Sequence, residues 1–240
     1  MAADTSIHPS IRAVIFDLDG CLVDSERMSL AALATEMSAA GLSVTPDDLR
    51  KQFLGVSIQT IRDHVATATG HPCPPGFVAR FEERLLDSYA VQGLALIDGV
   101  PELLQGLRDA GIATAIATGG SVTRMTATLR IAGLADYFQG RAFSADQVER
   151  GKPAPDLFLL AATSLGIPAT ACAVMEDSPH GIAGAKAACM HAVGFTGGSH
   201  LDGMRDDHAH RLREAGACPV LPDLSTMMAA LLTRPEGRSV

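Results

Sequence analysis

Four short runs of apolar and β-branched residues each end in a polar loop, and helix-like stretches separate them. The first, Ile11-Arg12-Ala13-Val14-Ile15-Phe16, leads into Asp17-Leu18-Asp19-Gly20. The others are Ile112 to Ala117 before Thr118-Gly119-Gly120, Cys172 to Met175 before Glu176-Asp177-Ser178, and Ala192 to Phe195 before Thr196-Gly197-Gly198. Runs this apolar are buried on both faces, which is the condition of a parallel strand covered by helices. Strands alternating with helices predict an α/β fold: a doubly wound, mainly parallel, Rossmann-like sheet.

Between Leu22 and Leu94 the pattern changes. Apolar residues recur at helical spacing (Leu30, Leu33, Ala34, Met37; Phe77, Phe81, Leu85), broken by Gly, Pro and Asp and without a strand. The expectation is a small all-helical cap domain over 22–94, inserted into a core domain formed by 1–21 and 95–240. Gly20 and Gly93 are the candidate hinges, and Pro101 opens the next core helix. Met28, Met37 and the leucine stripe read as the packing core of the insert. Thr233 to Val240 is expected to fray. A chain of 240 residues, 47% hydrophobic and 19% charged, can bury a core of that size.

The chemistry lies at the strand ends. Asp17 and Asp19 follow the first run, and Glu176 and Asp177 follow a later one. In an open α/β sheet the loops at the carboxyl ends of strands line the ligand crevice, so these four acids converge. Converging carboxylates raise one another's pKa unless a cation compensates, which argues for a hard divalent ion, and oxygen donors suit Mg²⁺. Thr118, the amides of Gly119 and Gly120, and Lys152 supply groups that bind phosphate. With a cation and Lys152 neutralising a phosphoryl group, Asp17 can act as nucleophile at phosphorus. Asp19, two residues on in an extended segment, faces the same side and can serve as general acid and base.

These motifs resemble those of the haloacid dehalogenase superfamily, in its phosphatase branch with a helical cap after the first strand. They occur in order: Asp17-Leu18-Asp19-Gly20 followed by Asp24-Ser25, Thr118 after an apolar strand, Lys152 in Lys-Pro-Ala-Pro-Asp, and Glu176-Asp177-Ser178 followed by Gly181. The resemblance implies an aspartyl-phosphate on Asp17, with Asp19 as acid and base. It implies Mg²⁺ on the Asp17 carboxylate, the Asp19 carbonyl and Asp177, with Glu176 as ligand or supporting partner. Thr118, Gly119 and Lys152 would hold the phosphate. Cys21 departs from the usual threonine or valine, and Gly119-Gly120 replaces a frequent Asn or Ser.

Specificity is expected in the cap, with Ser25, Arg27, Gly55 and Val56 as candidate contacts. Arg27 reads either as the partner of a substrate carboxylate or as a solvent-exposed helix cation. The substrate expected is a small phosphorylated metabolite, a sugar or sugar-acid phosphate. Among related functions, a phosphosugar mutase is expected to carry a cap His near Ser29 and an Arg at Ile58, and both are missing here. A phospho-receiver module is a compact unit of roughly 120 residues and needs no helical insert.

His180 reads as a helix-start or surface residue, and His200, His208 and His210 as part of a solvated loop, since no HExxH spacing is present. Thr118 is open to a second role as cap of the helix that follows it. The net charge of −8 opposes binding to nucleic acid or anionic membranes. Five scattered cysteines without a CxxC pair read as free thiols. With no signal-like start at Met1 to Pro9 and no run of roughly 18 apolar residues, a cytoplasmic monomer or weak homodimer is expected.

Overall fold

A computed structural model describes residues 10–234. The N-terminal start and most of the tail expected to fray, 1–9 and 235–240, lie outside the described residues. Six parallel strands form one sheet: β1 (Ala13–Phe16), β2 (Ala113–Thr118), β3 (Ala142–Ser144), β4 (Cys172–Glu176), β5 (His191–Phe195) and β6 (Val220–Leu221). Their order is β3-β2-β1-β4-β5-β6, so the winding direction reverses between β1 and β4. That reversal opens a crevice at the carboxyl ends of the two strands.

Side chains alternate across the sheet, as the pleat requires. Val14, Phe16, Ile116 and Met175 face one layer, with α5 (Val100–Asp109), α6 (Val122–Ile131) and α10 (Met227–Leu232). Ala13, Ile15, Ala115 and Val174 face the other, with α7 (Asp156–Ser164), α8 (Pro179–Ala187) and α9 (Arg205–Glu214). Every residue of β1 and β4 is buried, which explains their uninterrupted apolar sequence. Two strands escaped the sequence reading. β3 and β6, of three and two residues, are edge strands too short to show any period.

Between β1 and α5 the chain forms α1 (Glu26–Ala39), α2 (Pro46–Phe53), α3 (Ile58–Thr69) and α4 (Phe77–Gln92). These helices enclose their own apolar cluster, including Leu33, Met37, Leu49, Phe81 and Leu85. The chain leaves and re-enters the sheet region side by side. Asp24 N–H donates to the Ala95 carbonyl at 3.0 Å, and Ile97 N–H to that of Leu22 at 3.0 Å. Among the described residues no helix is long and apolar enough to cross a membrane.

Candidate active site

The ends of β1, β2 and β4 and the 151–152 loop meet the insert around a cavity of about 210 Å³. Asp17, Asp19, Thr118, Gly119, Lys152, Glu176 and Asp177 all line it. Residues as much as 160 positions apart in sequence therefore converge: Asp17, Thr118, Gly119, Glu176 and Asp177 sit at the end of a neighbouring parallel strand or one position beyond it, Asp19 three positions beyond β1, and Lys152 in the loop before α7.

Lys152 organises one end. Its Nζ lies 2.5 Å from Asp17 Oδ1 and 2.5 Å from Glu176 Oε1. The second Glu176 oxygen accepts from Ser178 N–H at 2.8 Å. Both Glu176 oxygens are thus committed, and Glu176 stands outside the donor cluster formed by Asp17, Cys21 and Asp177. Glu176, expected as a ligand or supporting partner, forms an ion pair that fixes the ammonium. Gly181 makes room for it: a Cβ there would fall 1.7 Å from Glu176 Oε1. Thr118 Oγ1 accepts from Gly120 N–H at 3.1 Å. Thr118 does not cap the next helix, because Ser121 accepts from Arg124 N–H and does so instead.

Two histidines lie against Asp177. His200 Nε2 lies 3.2 Å from its Oδ2, and His208 Nε2–H donates to its carbonyl at 2.6 Å. Both rings are buried, so the expectation of a solvated loop is corrected for them. Only His210 is exposed, 3.3 Å from Glu214. The sequence could not reveal this because the histidines fall in a polar stretch whose burial depends on the loop folding back under Asp177. His180 is exposed in the first turn of α8.

Burial pushes the Asp17 carboxyl up to about 7, against the attraction of Lys152. Burial, then the charge of Asp17, holds Asp177 well above the carboxylate range. Asp177 has no Lys or Arg within salt-bridge distance among the described residues. Two buried carboxylates short of positive charge, facing a common space, fit a hard divalent cation. The Cys21 thiol is kept protonated by burial and by Asp177, so oxygen rather than sulfur is the available donor type. A Cβ on Gly20, whose φ is +76°, would lie 2.1 Å from Asp177 Oδ2, so only glycine admits this approach.

The other end of the cavity is shared with the insert. Asp19 Oδ1 accepts from Ser25 Oγ–H at 2.6 Å, and Oδ2 lies 2.9 Å from Arg124 Nη2. Ser25 is therefore buried beneath Asp19 and does not line the cavity. Arg27 is placed elsewhere as well. It is exposed and lines a separate hollow with Arg84, because helical spacing turns Glu26, not Arg27, toward the crevice. Gly55 and Val56 do line it, and a Cβ on Gly55 would come 2.6 Å from Ser178 Cβ. Burial pushes Glu26 up to about 7.

Arg124, Glu26 and the contact of Phe81 with the cavity went unread in the sequence. Arg124 had one usable signal: Ser121 is a helix-start residue, which places Arg124 on a first turn beside Thr118.

A parallel sheet with acids at its switch point and a helical insert over them defines a class of phosphoryl-handling α/β enzymes, and comparison with known proteins assigns the family. The haloacid dehalogenase-like hydrolase family matches residues 11–188. The chain belongs to this family of hydrolases. Hexitol phosphatase A of Escherichia coli is 32% identical over 184 residues, covering 76% of this chain and 82% of that protein. The chloroplastic protein SUPPRESSOR OF QUENCHING 1 of Arabidopsis thaliana is 35% identical over 187 residues; the match covers 76% of this chain but only 18% of that protein. A solved haloacid dehalogenase family hydrolase from Deinococcus radiodurans, with bound phosphate and sodium, superimposes with a TM-score of 0.70 at 33% identity, covering 92% and 95% of the two chains.

Proposed function

We propose that this hydrolase is a phosphatase of a small phosphorylated metabolite, a sugar or sugar-acid phosphate, acting through an aspartyl-phosphate on Asp17 with Mg²⁺ as cofactor. The observation that carries this reading is the Lys152 ammonium, 2.5 Å from both Asp17 and Glu176, at the floor of a cavity roofed by the insert. An ammonium there draws the phosphoryl oxygens toward the carboxylate that attacks. The carboxylates of Asp17 and Asp177 and the main-chain carbonyl of Asp19 would hold Mg²⁺, which when bound offsets the charge of the phosphoryl oxygens.

A carboxylate oxygen of Asp17 forms a bond to phosphorus as the bond to the leaving oxygen breaks, and Asp19 gives that oxygen its proton. Asp19 then removes a proton from water, the water oxygen attacks phosphorus, and the aspartyl ester breaks to free Asp17 and inorganic phosphate. Thr118 and the Gly119 amide orient the phosphoryl group. Residues 22–94 act as the cap, 1–21 and 95–240 as the core, and closure of the cap keeps bulk water from the ester. The five free thiols support a reducing, cytoplasmic setting.

The test is phosphate release from sugar phosphates, sugar-acid phosphates and nucleotides, with Mg²⁺ or EDTA, for the native protein and Asp17→Asn. Turnover that requires Mg²⁺ and disappears in the variant is expected. Turnover that survives either change contradicts the reading.

A further inference from the structure

The residues that line the cavity include two cations, Lys152 and Arg124. Lys152 is paired with two carboxylates at the phosphate end. Arg124 is not. It stands on the first turn of α6, its side chain 12% exposed, with its guanidinium 5.8 Å from the centre of the Phe81 ring of the insert. Its ion-pair partner is Asp19, and its Nε is buried without a hydrogen-bond partner among the described residues. A guanidinium presents five donors in a planar fork, so most of this one's capacity is unused.

Ser25 already orients Asp19 through Oδ1, so Arg124 is not needed to position it. The unpaired donors of Arg124 are therefore open to a substrate group that enters the cavity. Asp19 acts on the leaving oxygen, and Arg124 lies beyond Asp19 on the side of Phe81. The group that Arg124 meets therefore belongs to the leaving portion of the substrate.

Charge and shape select its chemistry. Asp17, Asp19, Glu26, Glu176 and Asp177 line the same cavity, so a second phosphate would add up to two negative charges to a space already rich in acids. A carboxylate adds one and matches the guanidinium fork with two parallel hydrogen bonds. Resting on the phosphatase reading, we propose that Arg124 is a specificity-determining residue that binds a carboxylate on the leaving portion. The substrate class is then a phosphorylated sugar acid in preference to a phosphorylated polyol.

The discriminating probes are 6-phosphogluconate and glucitol 6-phosphate, which differ only in a carboxylate against a hydroxymethyl group at the far carbon. The native enzyme is expected to favour the acid in kcat/KM by about 10- to 100-fold, the range of one charge-assisted hydrogen-bonding pair. Arg124→Gln is expected to bring that ratio close to one, and Arg124→Lys to keep part of it. A ratio unchanged in Arg124→Gln, as a residue that merely braces Asp19 would give, overturns the proposal. So does a native enzyme that hydrolyses the polyol phosphate equally well.

If neither compound is turned over, the phosphatase reading fails separately. The same pair is then compared by equilibrium binding to Asp17→Asn protein with Mg²⁺, with and without Arg124→Gln. Tighter binding of the acid that depends on Arg124 upholds the assignment, and equal binding of the two compounds overturns it. Should Arg124→Gln fail to fold, Arg124→Lys carries both comparisons, with the acid preference expected to fall partway; an unaltered preference overturns the proposal.

Discussion

Lys152 and Arg124 line one cavity and are held in different ways. Lys152 is gripped by Asp17 and Glu176, both fixed at the ends of buried strands. Arg124 touches one carboxylate, leaves Nε unpaired and leans on Phe81, which belongs to the inserted helices. The end built by the sheet contains what every phosphate ester shares, and its geometry is complete before a ligand arrives. The end shared with the insert is electrostatically unfinished, and unfinished polar groups in a cavity mark where a ligand completes the structure.

The largest expected effect is at the finished end. Asp17→Asn removes the nucleophile and is expected to lower kcat by at least about 10⁴-fold, read as phosphate release. Lys152→Met leaves Asp17 and Glu176 without their shared cation, and kcat is expected to fall about 10²- to 10³-fold for every substrate alike. A loss confined to sugar acids would erase the contrast between the two cations, because that behaviour belongs to Arg124.

The support beneath the site gives a smaller effect. His200 contacts Asp177 from a buried position, and His200→Leu keeps the volume while removing the ring nitrogens. Mg²⁺ affinity, followed by titration calorimetry, is expected to weaken about 10-fold. An unchanged affinity would detach the 198–202 loop from the metal-binding face. That loop also meets the insert, since Arg50 donates to the carbonyls of His200 and Asp202 at 3.3 and 3.0 Å.

The smallest effect lies within the insert. Glu36 is buried on α1 and accepts from Arg84 and Arg80 of α4 at 2.9 and 3.0 Å. Burial alone would raise its pKa, but hydrogen bonds from Arg84 and then Arg80 outweigh that and hold it below its ordinary 4.5. An acid depressed in the folded state stabilises the fold above its unfolded pKa and loses that contribution as pH falls below it. Stability is therefore expected to drop as pH goes below about 4.5, and Glu36→Gln to flatten that acid limb. Both arginines are half exposed, so the cost of the substitution at neutral pH is about 1 kcal/mol, measured by urea unfolding.

The contrast between the two ends also explains what the sequence disclosed. Asp17, Thr118, Glu176 and Asp177 were legible because each closes or directly follows an apolar run, and parallel strands deliver such residues to one edge. Lys152 was legible from its chemistry and not from its loop. Arg27 and Glu26 are adjacent, and without the phase of α1 against the core nothing told which one faces the crevice. Arg124, Phe81 and His200 depend on how the insert and the 198–202 loop fold onto the sheet, and that packing has no signature at the length of a motif. The strands β3 and β6 stayed hidden for a simpler reason: two or three residues carry no period.

The central claim is that Asp17 itself takes the phosphoryl group. The most direct measurement is acid quenching of enzyme, Mg²⁺ and a turned-over sugar phosphate within one turnover, followed by peptide mass mapping. The account predicts one phosphoryl adduct on the peptide that contains Asp17, absent with EDTA and absent in Asp17→Asn. Single-turnover phosphate release without any adduct on that peptide, or an adduct on another residue, contradicts it.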